Sequence, residues 1–460
     1  MLNHTIFMRL LPSQIIEKTR NRFNLFFKAT AKSSVILLVA TVIALVWANS
    51  PLGEAYFNLW KTHLMVAIGQ FKLDKSLSHW VNDGLMAIFF LVIGLEIKRE
   101  FMVGELSQRK DAILPITAAI GGMIVPALLY IALNQEGLSL KGWGIPMATD
   151  IAFALGILSL LGDRIPLSLK IFLTATAIVD DLGAILVIAI FYTDKLAITP
   201  LIISGIIMII LIIANLRGIK RPILYSTLGV ALWLATLKSG LHATLAGVLL
   251  AATIPARSKM DPQKFITDSL TLLESFQDSA PSSDEMFLNK VCVNAIANLE
   301  ENIAQVEPLI QKWERDLHNI AAYLIIPVFS LVNSGVALFE VGVSALTDTI
   351  SLGIIFGLVI GKPLGIVLLT WLVIRFKIAY LPQGTTWRHI IGAGFLAGIG
   401  FTMSIFVTGL AFESAINIAT AKIAIITASL LSGIIGIIIL RTEKRLKEEY
   451  ILNEYVTLVD

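Results

Sequence analysis

Residues 174–190 read TATAIVDDLGAILVIAI. Two carboxylates, Asp180 and Asp181, stand side by side in an otherwise apolar run. The apolar flanks, 171–179 and 182–192, are each too short to cross a bilayer. Its hydrocarbon core of ~30 Å needs about 20 helical residues. Joined, the flanks make one span with the acid pair near its middle. A charge at that depth costs at least ~2.5–3.5 kcal/mol, so the pair reads as a functional site. A turn between two half-segments, which Gly183 would allow, is the plainer reading, and it leaves that cost unexplained.

The rest of the chain has the same character. Of its 460 residues 56% are hydrophobic and only 15% are charged, and the mean hydropathy is +0.81. A soluble domain would carry about 25% charged residues. A soluble globule, a disordered chain and a nucleic-acid-binding protein are excluded. The ten-residue alternating strands of an outer-membrane barrel are absent. Apolar blocks near twenty residues long predict an all-α polytopic membrane protein with about twelve transmembrane helices. Sorted by side, 27 Lys and Arg residues share the side of both termini and 6 lie opposite. That bias predicts cytoplasmic termini and an even number of crossings. The single cysteine, Cys292, allows no internal disulfide.

The expected organisation is a cytoplasmic tail at 1–32, spans 1–8 over 33–254, a cytoplasmic insertion at 255–317, spans 9–12 over 318–440 and a cytoplasmic tail at 441–460. The first tail interleaves Arg9, Lys18, Arg20, Arg22, Lys28 and Lys32 with Ile15, Ile16, Phe23, Phe26 and Phe27. It reads as an amphipathic helix on an anionic membrane face or as a loose tail. Residues 50–79 read as an outer hairpin or surface helix. The insertion holds 11 acids against 6 bases. Apolar residues from Cys292 through Ile296, Leu299, Ile303, Val306, Ile310 and Trp313 to Leu317 predict an amphipathic helix that Pro308 splits. It would be regulatory or dimer-forming, or would simply pack on the cytoplasmic face.

Other ionisable residues lie in the spans. Asp150 follows Gly142, Gly144 and Pro146, so its helix should break near Pro146–Asp150. A break frees carbonyls and exposes helix ends that can face an ion, whereas a simple proline kink would not. Residues 390–404, IIGAGFLAGIGFTMS, carry Gly392, Gly394, Gly398 and Gly400 and form a second interrupted span. Close helix packing is the alternative use of those glycines. One interruption in each half predicts inverted repeats, spans 3–5 and 10–12, with two broken helices crossing at mid-membrane. Lys362, in LVIGKPLGIVLL, needs a carboxylate, and Asp180, Asp181 or Asp150 could supply it. Snorkelling is the poorer explanation for so central a lysine. Asp83, Glu96 and Arg99 bracket span 2 as interfacial charges, and Glu96 and Arg99 can share a helix face. His242 reads as a structural hydrogen-bonder.

Six ordered motifs carry a family resemblance: NDGLMAIFFLVIGLEIKRE (82–100), MATDIAFALGILSLLG (147–162), AIVDDLGAILVIAIFYT (177–193), KSGLHATLAG (238–247), GKPLGI (361–366) and GIGFTMSIF (398–406). The chain resembles the NhaA-type sodium/proton antiporters over about residues 30–255 and 318–440. That family is an established example of inverted-repeat architecture. The resemblance implies that Asp180 and Asp181 bind Na⁺ or Li⁺ in competition with H⁺. Asp150 and Thr149 would lie at the crossing, with Lys362 countering charge by pairing with Asp180. Asp83 would be a secondary carboxylate. Glu96, Arg99, Glu314 and His318 would form a pH-responsive cluster, with His242 a further candidate. A homodimer through the outer segment is implied. The long insertion, and Arg315 at a position where the family has a histidine, are departures that bear on pH response.

The expected activity is electrogenic, pH-regulated export of Na⁺ or Li⁺ against external protons across a bacterial inner membrane, serving sodium and pH homeostasis. The partners are the transported ions and membrane lipid; no enzyme activity, cofactor or nucleic acid is expected. An intramembrane aspartyl protease would need a Gly-x-Gly-Asp stretch, which is absent. A cation channel or a sodium-coupled symporter is the remaining rival.

Overall fold

A backbone in lipid has to satisfy its own N–H and C=O groups, so the apolar runs form helices. The computed structural model describes residues 32–443 apart from 70, 105, 194–195, 258–260, 280–288 and 339–341. Of the tails expected at 1–32 and 441–460, residues 1–31 and 444–460, with the amphipathic helix read in the first, lie outside the described residues. The order begins with α1 (Lys32–Ala48), α2 (Gly53–Lys61), β1 (His63–Ile68) and β2 (Phe71–Ser76). Then come α3 (Leu77–Val103), α4 (Lys110–Leu133), a 3₁₀ stretch Gly137–Met147, α5 (Ile151–Leu160) and α6 (Leu167–Phe191). Next are α7 (Ile198–Leu216), α8 (Pro222–Ser239), α9 (Leu245–Thr253), α10 (Pro262–Asp278) and α11 (Lys290–Val306). The chain closes with α12 (Leu309–Asn333), α13 (Thr349–Arg375), α14 (Trp387–Ala397), α15 (Phe401–Ala411) and α16 (Ala415–Arg441).

The architecture is an all-α polytopic membrane fold. Among the described residues eight helices are long and apolar enough to cross a bilayer, and ten if each of two bent pairs is one span. Helices α8 and α9 occupy the positions of expected spans 7 and 8. Gly240, at φ +87°, ends α8 in the left-handed conformation that a side chain would resist. Helix α9 has nine residues, only about 13 Å of helix, and does not reach across. Lys98 of α3 caps it by donating to the carbonyls of Ala252 (2.7 Å) and Ile254 (2.5 Å). The outer segment contains both forms anticipated for it. Helix α2 turns 112° away from α1, and β1 pairs antiparallel with β2, His63 opposite Ser76.

The two expected repeats share one plan: a long helix, a broken one, another long helix. Pro146 cannot donate in a ladder, and here the chain passes from 3₁₀ into an extended stretch before α5 starts at Ile151. In the second repeat α14 gives way at Gly398 to a break, and α15 continues at 44°. The long helices α4 and α13 come into backbone contact at Gly121 and Gly365, where a Cβ on either would strike the other's carbonyl oxygen. Small residues permit such contact in lipid, where no hydrophobic force drives helices together. The insertion supplies α10 and α11, which pack on each other. Their chain then turns at Pro308, as its missing donor predicts, and Leu309 and Ile310 are buried against the membrane body.

Candidate ion-binding site

The broken helices meet at their breaks. The amide of Asp150 donates to the carbonyl of Ile399 at 2.7 Å, and the hydroxyl of Thr149 donates to that of Ala397 at 2.9 Å. Asp150 caps two helices at once. One carboxylate oxygen accepts the amide of Phe153 in α5 (3.1 Å). The other accepts the amide (3.0 Å) and hydroxyl (2.5 Å) of Thr402 in α15. Each helix start carries a partial positive charge from unpaired N–H groups, so one carboxylate compensates both. Ser404 adds a bond to the carbonyl of Ile145 at 2.8 Å. The crossing is thus held by a carboxylate and hydroxyls bonded to main-chain groups at the two breaks.

Helix α6 carries the carboxylate pair midway along its 25 residues. Asp150, Asp180 and Asp181 are each 2% exposed and Lys362 is 1% exposed. Lys362 donates to Asp180 Oδ2 at 2.6 Å and also to the carbonyl of Met147, which the first break leaves free. It begins the regular part of α13 just after a π-helical stretch, Gly357–Gly361, with Pro363 following. A missing proline donor is an ordinary cause of such a ladder irregularity. Thr149 lies beside Asp180. Asp180 Oδ1 and Asp181 Oδ1 are buried without a hydrogen-bond partner. Buried polar atoms are otherwise almost always satisfied, so each unpaired oxygen calls for a ligand, a proton or a water. Among the described residues no three His, Cys, Asp or Glu side chains converge on a point, so a cation here has to draw on carboxylates, hydroxyls and main-chain oxygens.

The chain matches the family described as Na+/H+ antiporter 1 over residues 24–440. It belongs to that family. A protein named Na(+)/H(+) antiporter NhaA from Oleidesulfovibrio alaskensis is 47% identical over 435 residues, which is 95% of this chain and 97% of the relative. One named Na(+)/H(+) antiporter NhaA 2 from Syntrophotalea carbinolica is 45% identical over 420 residues, 91% of this chain and 95% of the relative. Another, Na(+)/H(+) antiporter NhaA 1 from Saccharophagus degradans, is 45% identical over 416 residues, 90% of each chain.

The remaining candidates in this antiporter-family chain fall in two places. Arg99 pairs with Glu314 at 3.3 Å and with Glu100 at 2.6 Å, and Glu96 and His318 lie within electrostatic reach of the same group. The four residues expected as one cluster are therefore together, where the start of α12 meets the end of α3. Arg315 points elsewhere and pairs with Glu307 across the Pro308 turn. Asp83 sits on the π-helical stretch Trp80–Leu85, near His79, Lys75 and His242. Its carbonyl accepts the indole N–H of Trp233 at 2.8 Å. The His242 ring meets the carbonyl of Tyr192 at the end of α6, apart from the Arg99 cluster.

Sequence reading missed Thr402 and Thr176. Thr402 follows the glycine run at the first turn of a helix, which is where a side-chain donor to a facing carboxylate belongs. Thr176 stands one turn before Asp180 and is buried without a hydrogen-bond partner.

Proposed function

We propose that the protein is an electrogenic, pH-regulated antiporter that expels Na⁺ or Li⁺ from the cytoplasm in exchange for external H⁺. The observation that carries this reading is the pair of neighbouring buried carboxylates, each with a buried oxygen that makes no hydrogen bond within 3.5 Å. Family membership and the names of the relatives support it. Asp181 and Asp180 are the proposed ion ligands, Asp150 and Thr149 hold the crossing, and Lys362 balances Asp180. Asp83 acts as a secondary carboxylate. Glu96, Arg99, Glu314, His318 and His242 tune the response to pH. The protein sits in a bacterial inner membrane with both termini in the cytoplasm, as a homodimer in contact with lipid. The division into tails, spans 1–8, insertion and spans 9–12 at 33, 255, 318 and 441 belongs to this reading.

The mechanism is competition. A carboxylate oxygen that binds a dehydrated cation cannot keep a proton, so the pair titrates as one coupled unit. Binding Na⁺ releases protons into the compartment the site faces, and rebinding protons on the other side releases Na⁺. Exchange is strict if the crossing helices reorient only when the site is loaded. They can do so at low cost because their breaks already interrupt the backbone ladder.

Inside-out vesicles carrying a fluorescent pH probe test this directly, with Na⁺, Li⁺ and K⁺ added in turn. The expected result is proton movement on Na⁺ or Li⁺ addition that saturates, and its loss in Asp181→Asn. Normal exchange by Asp181→Asn refutes the site. Non-saturating conduction would mean a channel.

A further inference from the structure

Helical threonines in this chain usually donate to the carbonyl one turn back. Thr41 bonds Leu37, Thr117 bonds Ile113, Thr174 bonds Lys170, Thr236 bonds Leu232 and Thr408 bonds Ser404, all at 2.8 or 2.9 Å. Such back-bonding satisfies a hydroxyl in apolar surroundings without any tertiary partner. Thr176 does not do it. Its side chain is 2% exposed and its hydroxyl has no partner. Thr370, eight residues beyond Lys362, is the other helical threonine left so among the described residues.

Position distinguishes Thr176. It lies four residues before Asp180 in the continuous helix α6. Side chains at that spacing share a face, with Cβ atoms about 5–6 Å apart. Thr176 Oγ1, Asp180 Oδ1 and Asp181 Oδ1 are thus three buried, unsatisfied oxygens within about a turn and a half of one helix. A lone unsatisfied hydroxyl costs roughly 1–3 kcal/mol. Thr176 shares a helix face with Asp180, and unsatisfied oxygens this near one another along a single helix call for a shared ligand. A dehydrated alkali cation takes several oxygens, and two carboxylates alone leave it short.

We propose that the Thr176 hydroxyl is a third side-chain ligand of the transported cation and helps to set the preference between Na⁺ and Li⁺. The inference rests on the proposed Asp180–Asp181 site and adds to it. When the site holds protons, the hydroxyl can turn back to the helix carbonyl or donate to a carboxylate oxygen. When it holds a cation, the lone pairs face the ion. Li⁺ is smaller and is satisfied by fewer oxygens, so it depends less on this group.

The test compares Thr176→Val, which keeps the shape, with Thr176→Ser, which keeps the hydroxyl. Both are measured in the full chain in proteoliposomes, beside Asp181→Asn. In Thr176→Val the half-saturating Na⁺ concentration should rise roughly tenfold, the scale of one lost polar contact. The maximal rate should change far less, the Li⁺ value should shift less than the Na⁺ value, and Thr176→Ser should restore both. Equilibrium binding of radioactive Na⁺ to the purified protein gives the same comparison without turnover. An unchanged Na⁺ affinity in Thr176→Val, or a loss that serine does not rescue, overturns the inference. A Li⁺ shift as large as the Na⁺ shift overturns the claim on preference. If Asp181→Asn is inactive and Thr176→Val is normal, only this inference fails. If Asp181→Asn transports normally, the ion site itself is wrong.

Discussion

Replacing Thr402 by valine removes one oxygen and leaves the shape of the side chain almost unchanged. Asp150 accepts from the amide of Phe153 at 3.1 Å and from the amide and hydroxyl of Thr402 at 3.0 and 2.5 Å. The valine variant keeps both amides and loses the hydroxyl. A hydrogen bond to a charged group contributes ~1.5–3 kcal/mol, and both partners are buried, Asp150 at 2% and Thr402 at 5% exposure. Thr402→Val should therefore be less stable by about 1.5–3 kcal/mol, a shift of roughly ten- to 150-fold in the unfolding equilibrium. Thr402→Ser keeps the donor and loses one methyl, which costs about 0.8 kcal/mol. Unfolding in mixed micelles, followed by tryptophan fluorescence with all three proteins side by side, reads the difference. The order should be threonine, serine, valine. If valine equals threonine, or if valine and serine fall together, the idea that Asp150 holds both half-helices through Thr402 is wrong.

Breaking the buried ion pair from one side, with Lys362→Gln or Asp180→Asn, should cost about 3–5 kcal/mol each, because the partner charge is left alone. The double variant should cost clearly less than the sum, and additive losses in the same unfolding assay would deny the pairing. Lowering the pH by one unit should raise the half-saturating Na⁺ concentration about tenfold for each proton that competes, by mass action. The sign follows from proton occupancy, and a Na⁺ affinity independent of pH in binding measurements would deny competition. Gly121→Ala or Gly365→Ala should destabilise by roughly 1–3 kcal/mol through overpacking where α4 meets α13. A thermal or detergent unfolding midpoint equal to that of the parent would show that the close approach is not required.

Much of this was readable from residues because the local physics is strong. Pro146 and the glycines from Gly392 to Gly400 announce their breaks whatever surrounds them. Asp180 and Asp181 are conspicuous because charge is so costly among Ile, Leu and Val. The choice Lys362 makes among Asp180, Asp181 and Asp150 was not readable from the spans alone. Neighbouring residues on a helix point about 100° apart, so the answer depends on how α6 is rotated against α13. The resemblance supplied Asp180 as the partner, and the 2.6 Å contact agrees. Thr402 stayed hidden because its partner is 252 residues away and no spacing rule connects them. Thr176 was overlooked because a threonine inside a helix usually satisfies itself. The first helix of the insertion, α10, also escaped notice. Its apolar residues recur at helical spacing as regularly as those of α11, so its pattern was there to be read.

The most direct measurement records both ions together. Purified protein is reconstituted into liposomes containing a pH-sensitive dye, a sodium gradient is imposed, and sodium content and internal pH are followed at once. Every sodium ion moved should be matched by proton movement in the opposite direction, and both fluxes should vanish together in Asp181→Asn. Sodium entry with no opposing proton flux, or undiminished exchange after both aspartates are neutralised, would contradict this expectation.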